Sequence, residues 1–251
     1  MIARIILERR SEATESKDLN SQRSQRIKVV ETIRLFVKCV EKMRKLNDCR
    51  LYLVVSEECA KNRCVVDLVR DALDAGVDML QMREKSKDKE ELIKLGKKFS
   101  LLCREKNKIF IVNDDPVLAN EVNADGVHVG QEDTKKFPFS KIRNIIGREK
   151  ILGISTHSFE QFREANKSDV DYIAFGPIFP TQTKNYHIGI DDIEKILKVA
   201  TKPVFFIGGI NLSNIDLVLT KGVRNIALIR GILEADNIKT ATCAFREKLK
   251  K

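Results

Sequence analysis

From residue 51 onward the chain repeats a single pattern, and that repeat leaves few folds open to it. Short apolar runs recur at 51–55 (LYLVV), 78–82 (DMLQM), 108–112 (KIFIV), 126–129 (GVHV), 151–154 (ILGI), 171–175 (DYIAF), 203–207 (PVFFI) and 225–229 (NIALI). Between them lie stretches with helical spacing of apolar residues, at 65–75, 88–106, 158–167, 191–200, 212–220 and 238–250. The runs are apolar almost throughout, as in parallel strands covered on both faces. Eight strand–helix units in this order predict an α/β protein, a single (β/α)8 TIM barrel over residues 51–251. An open doubly wound sheet would carry a glycine-rich turn after its first strand. Here SEECAKNRC follows that strand, and the first glycine of the chain is Gly76.

Residues 1–50 read differently. They contain neither Gly nor Pro, and residues 11–26 are polar and charged. Val29, Val30, Ile33, Phe36, Val37, Val40 and Met43 then fall at helical spacing, which predicts an amphipathic helix. Residues 1–50 are therefore expected to be an N-terminal helical extension. Met43 is a second candidate start, and residues 1–42 are expected to be dispensable for catalysis, since every candidate site residue lies beyond position 80.

The net charge of +10 largely reflects this segment, which holds 13 basic and 7 acidic side chains. With aromatic content at 6%, stacking platforms are few, and nucleic acid is not the expected partner. No run approaches the roughly 20 apolar residues of a bilayer span. The six cysteines form no CxxC pair, and free thiols in a reducing cytoplasm are expected. Oligomeric state is left open, self-association included.

In a barrel of this type, chemistry belongs at the C-terminal strand ends. The second run ends in Gln81, Met82, Arg83, Glu84 and Lys85; alternation puts Gln81, Arg83 and Lys85 on one side, a cradle for a polyanion. The third ends in Asn113, Asp114, Asp115 and Pro116, where a helix cap competes with a functional carboxylate. The fourth leads into Gln131, Glu132 and Asp133. Carboxylates on neighbouring strand ends beside cations point to Mg²⁺ bridging to a diphosphate. Ser155 can donate into the site, His157 is a candidate acid–base group, and Ser158 with Gln161 reads as a capping box. The sixth run opens into Thr181, Thr183 and Lys184, a stretch suited to close on an anion. Gly208 and Gly209, with the Ile229–Arg230 exit, match the phosphate site that barrels build after strands 7 and 8.

Taken in order, QMREK (81–85), VND (112–114), ADGVHVGQED (124–133), GISTHS (153–158), DYIAFGPIFPTQTK (171–184), IGGI (207–210) and IALIRGI (226–232) resemble the thiamine-phosphate synthase family. The resemblance covers about residues 51–250. It implies a transferase joining 4-amino-2-methyl-5-(diphosphooxymethyl)pyrimidine to a thiazole phosphate, giving thiamine phosphate and diphosphate. It further implies that Gln81, Arg83, Lys85, Asn113, Ser155 and Lys184 hold the pyrimidine diphosphate, with Arg83, Lys85 and Lys184 catalytic. Asp114 and Asp133 would bind Mg²⁺. Thr181, Thr183, Gly209, Ile229 and Arg230 would form the thiazole phosphate pocket. Arg230 stands where the family usually has a small residue; its backbone N–H is expected to face that pocket and its side chain to leave for solvent. Two rivals are a thiazole tautomerase-like barrel, with His157 as acid–base residue, and a non-catalytic barrel docking through residues 27–46.

Overall fold

The computed structural model describes residue 26, residues 29–182 and residues 185–250, with the backbone alone at Asp133, Lys135 and Lys136. The chain divides into two compact units, one ending at Glu41 and the other spanning Lys42–Lys251. In the first unit, residues 29–41 are helical, and Val29, Val30, Ile33, Phe36, Val37 and Val40 are exposed.

The second unit is a closed barrel of eight parallel strands in sequential order. They are β1 (Leu51–Val55), β2 (Met79–Met82), β3 (Ile109–Asn113), β4 (Gly126–Val129), β5 (Ile151–Thr156), β6 (Tyr172–Phe175), β7 (Val204–Ile207) and β8 (Ile226–Leu228). Strand β1 pairs with both β2 and β8, which closes the ring. Six of the helices lie where the apolar spacing predicts them, over Val65–Asp74, Lys89–Glu105, Phe159–Lys167, Ile193–Val199, Ile215–Leu219 and Ile238–Leu249. Short helices at Gln131–Lys136, Phe139–Ile146 and Arg230–Leu233 are additional; the first and last are too brief to show a period.

Because side chains alternate along a strand, each strand feeds both sides of the sheet. Outward residues such as Leu53, Leu80, Val127, Ile173 and Phe206 pack under the helices. Inward residues, among them Tyr52, Met79, Ile109, Ile111, Ile151, Tyr172, Phe205 and Ala227, fill the barrel. Residues 42–48 are helical, and Leu46 and Cys49 join this inner cluster with Met43 packed against it. Burial pushes the Cys49 thiol up to about 12, so it stays protonated and serves as an apolar filler.

At the N-terminal ends, three even strands are preceded by an aspartate that ties down the strand before it. Asp78 Oδ2 accepts from Leu51 N–H at 3.1 Å, Asp125 Oδ2 from Phe110 N–H at 2.8 Å, and Asp171 Oδ2 from Leu152 N–H at 2.8 Å. Asn225, before β8, accepts from Phe206 N–H through its backbone oxygen. Cations back two of these carboxylates: Arg246 and Lys108 on Asp78, and Lys42 and Arg143 on Asp171. Charge is thus spent on stability at this end, leaving the opposite end for chemistry.

Candidate active site

The same alternation builds the site. Continued past the core layer, the inward positions of β2 are Gln81 and Arg83, and Lys85 follows in step. Glu84 turns the other way and accepts from Glu57 N–H at 2.6 Å, capping the short 3-10 helix Glu57–Cys59. Burial raises the Glu84 carboxyl above its ordinary range.

On β3 the chain separates two neighbouring carboxylates. Asp115 caps the helix Pro116–Glu121, accepting from Val117 N–H at 2.9 Å and Leu118 N–H at 2.8 Å. Asp114 adopts a left-handed backbone, φ +64°, which aspartate tolerates better than most residues. Its N–H donates to His128 O at 2.8 Å, and its Oδ2 accepts from Asn113 Nδ2 at 2.5 Å. The cap therefore occupies Asp115 and leaves Asp114 at the strand mouth.

At β5, Ser158 caps the helix Phe159–Lys167 by accepting from Gln161 N–H. The reciprocal half of the expected capping box is displaced by one residue: Gln161 Oε1 accepts from His157 N–H, not from Ser158. The His157 ring contacts Gly176 O through Nδ1 at 2.5 Å. The backbone oxygen of Ser155 accepts from Gln131 Nε2 at 2.8 Å, joining the mouths of β4 and β5.

Beyond β6, Phe179 N–H donates to Gly208 O, while Ile188 and Gly189 N–H return to Pro177 O and Ile178 O. The start of the segment after β6 is thereby tied to Gly208, and residues 188–189 return to that start. Gly208 and Gly209 have φ of +100° and +66°, and a Cβ on Gly209 would lie 2.5 Å from Pro180 O. Only glycine fits there, and the backbone stays open to an approaching anion. The helix Arg230–Leu233 begins directly after β8 and Ile229.

A cavity of about 1190 Å³ opens at these strand ends. Gln81, Arg83, Lys85, Asn113, Asp114, Ser155, Thr181, Gly209, Ile229 and Arg230 all line it. Of the remaining sequence-predicted residues, Thr183 and Lys184 lie outside the described residues, as does the side chain of Asp133, whose backbone belongs to the helix Gln131–Lys136. The Arg230 side chain does not leave freely for solvent. Its Nη1 donates to Gln182 Oε1 at 2.6 Å and to Glu234 Oε1 at 2.8 Å, linking the exit of β8 to the segment after β6.

Sequence reasoning assigned no role to Tyr52, His128, Gln131 or Tyr186, which also line the cavity. The signal for Tyr52 and His128 was present: polar groups at inward positions of strands otherwise apolar inside. Among the described residues, no three His, Cys, Asp or Glu side chains form a metal cluster. Asp114 brings one carboxylate to the cavity, and a hard cation bound there would take it together with substrate phosphate oxygens. The donor set, a carboxylate with the Asn113 amide beside it in a cavity that Arg83 and Lys85 also line, fits that demand.

Comparison with known proteins places the chain among relatives of one family. Residues 51–232 match the family model described as thiamine monophosphate synthase. Thiamine-phosphate synthase from Lawsonia intracellularis is 39% identical over 205 residues, covering 80% of this chain and 93% of that protein. The Dictyoglomus turgidum enzyme of the same name is 40% identical, covering 80% and 91%. The solved thiamine phosphate pyrophosphorylase of Pyrococcus furiosus superposes with a TM-score of 0.73 at 35% identity, covering 82% of this chain and 97% of that one.

Proposed function

This chain belongs to the thiamine monophosphate synthase family and is a transferase of thiamine biosynthesis, and we propose that the cavity at the strand ends is where it couples its two substrates. These are the pyrimidine diphosphate and the thiazole phosphate, and the products are thiamine phosphate and diphosphate. The observation that carries the assignment is the convergence of two anion-binding features on one cavity. Arg83 and Lys85 stand at the mouth of β2, and Gly208 and Gly209 follow β7, with the β8 exit beside them.

Reaction requires the C–O bond between the pyrimidine CH₂ and the diphosphate to break, its electron pair leaving with the diphosphate. The aminopyrimidine ring stabilises the electron-poor carbon, and the thiazole nitrogen lone pair forms the new C–N bond. No enzyme nucleophile is needed. Arg83 and Lys85 oppose the charge growing on the diphosphate, with Lys184 assigned to the same task. Gln81, Asn113 and Ser155 orient the pyrimidine diphosphate. Gly209, the Ile229–Arg230 backbone, Thr181 and Thr183 hold the thiazole phosphate, so that the two rings meet in reacting geometry. Asp114 and Asp133 are the residues that would hold Mg²⁺, which when bound supplies further positive charge against the diphosphate oxygens. We place the reaction in the cytoplasm, because both substrates are highly charged phosphates that do not cross a bilayer unaided. The tautomerase and non-catalytic readings are not favoured.

The test is to incubate the protein with both phosphorylated substrates and Mg²⁺ and to follow thiamine phosphate. Formation of one diphosphate per thiamine phosphate is expected. Absence of product from folded protein would contradict the assignment.

A further inference from the structure

A chain of hydrogen bonds crosses the barrel interior beneath the cavity. Gln81 Nε2 donates to Tyr52 Oη, and Tyr52 Oη lies 2.9 Å from Tyr172 Oη. Tyr172 Oη lies 2.9 Å from His128 Nδ1, and His128 Nε2 lies 2.8 Å from Ser155 Oγ. Five residues from five strands are thus joined end to end. Tyr52 and Tyr172 are fully buried, and Gln81 and His128 nearly so. Room for the Tyr172 ring comes from Gly153, its neighbour on β5, where a Cβ would overlap that ring. The ring also stacks on His128, with centroids 5.4 Å apart.

We propose that Tyr52, Tyr172 and His128 are positioning residues that fix the hydrogen-bond polarity of Gln81 and Ser155, and so set the preference for an aminopyrimidine over its oxo counterpart. The inference rests on the substrate assignment above.

Proton counting gives the polarity. Gln81 donates to Tyr52, so the Tyr52 proton must pass to Tyr172, its other hydroxyl partner. Were Tyr172 the donor instead, the buried Tyr52 proton would have no acceptor. Tyr172 then donates to His128 Nδ1. A neutral imidazole accepting at Nδ1 carries its proton on Nε2 and donates it to Ser155 Oγ. Each proton is used once, and reversal would require the Gln81 amide to turn over together with every proton in the chain.

The two ends therefore present opposite faces to the cavity that both line. Gln81 keeps Oε1 as an acceptor, which suits the exocyclic amine of the pyrimidine. Ser155 keeps its O–H as a donor, which suits an oxygen of the diphosphate. An oxo group in place of the amine would set acceptor against acceptor, a mismatch that sites of this type reject strongly.

Tyr172→Phe tests this, because it removes the hydroxyl, keeps the ring and frees the Gln81 amide to invert. The readouts are kcat/KM for the amino substrate and for its 4-oxo analogue, with KM for thiazole phosphate as a control for general damage. The expected result is a fall in amino-over-oxo discrimination of at least about tenfold, with the thiazole phosphate KM within about twofold of the parent. An unchanged ratio in a folded variant would overturn the proposal. A second readout does not depend on catalysis: ¹⁵N shifts of the histidine rings at mildly alkaline pH. His128 of the parent protein should carry its proton on Nε2, and Tyr172→Phe should relax that preference. A proton on Nδ1 in the parent protein would also overturn the relay, whereas failure of the substrate assignment alone would leave the Nε2 tautomer in place.

Discussion

Asp114 and Asp115 are chain neighbours with different tasks, and the backbone decides which does what. Asp115 is held by two helix N–H groups, while Asp114, in its left-handed conformation, lines the cavity. Asp115→Ala should cost about 1 kcal/mol of stability, seen as a fall of a few degrees in Tm, with kcat/KM within about twofold. Asp114→Asn should keep Tm and lower kcat by about a hundredfold or more, the scale expected when charge stabilisation of a leaving diphosphate is lost. A normal rate for Asp114→Asn with Mg²⁺ chelated would remove the carboxylate from the chemistry. The interior tyrosines give a pH prediction. Burial raises both Tyr52 and Tyr172 above their ordinary value of 10.0. A folded-state value above the unfolded one adds stability that is fully present below pH 10 and is lost as pH rises beyond it. Followed by tyrosinate absorbance in a Tyr186→Phe background, which removes the exposed third tyrosine, their ionisation should therefore coincide with unfolding measured by circular dichroism, and ionisation of Tyr52 or Tyr172 in a still-folded barrel would contradict that.

The eight strands were legible at the scale of elements because parallel strands buried on both faces are apolar throughout, and each run matched a strand to within a residue or two. Longer helices such as Lys89–Glu105 announced themselves by period; the structure adds the Asp88 capping box at its start. What stayed hidden was of two kinds. The helices Gln131–Lys136 and Arg230–Leu233 are too short to show a period. Interior contacts between strands, such as the tie of Asp171 to β5 or the reach of Tyr172 to His128, depend on barrel closure, which no local pattern encodes. Site residues that end strands could be read from alternation, whereas the ties of Arg230 to Gln182 and Glu234 could not. The aspartate ties yield a stability prediction. Asp78→Ala strips two N–H groups of their acceptor and leaves Arg246 and Lys108 without this carboxylate, at a cost of about 3 kcal/mol by denaturant unfolding.

For the whole molecule, the barrel separates its two ends by purpose. Residues 42–50 bear on the stable end, since Leu46 and Cys49 belong to the inner cluster. A chain beginning at Met43 should fold and turn over, with some loss of stability from the Lys42–Asp171 pair. One beginning at residue 51 forfeits the burial of Leu46, worth about 2–3 kcal/mol, and exposes the inner cluster, so it should melt earlier. Equal Tm for the two chains would show that residues 43–50 do not support the barrel. The opposite end holds the central claim, that one cavity carries two separate anion sites, the pyrimidine diphosphate at β2–β3 and the thiazole phosphate at β7–β8. Its most direct test is the pair of KM values in two variants. Arg83→Gln should raise KM for the pyrimidine diphosphate about tenfold or more and leave that for thiazole phosphate nearly unchanged. Gly209→Ala, which places a methyl group against Pro180 O, should do the reverse. If each variant instead shifted both values alike, the two substrates would not occupy separate anion sites, and the assignment of the strand ends would be wrong.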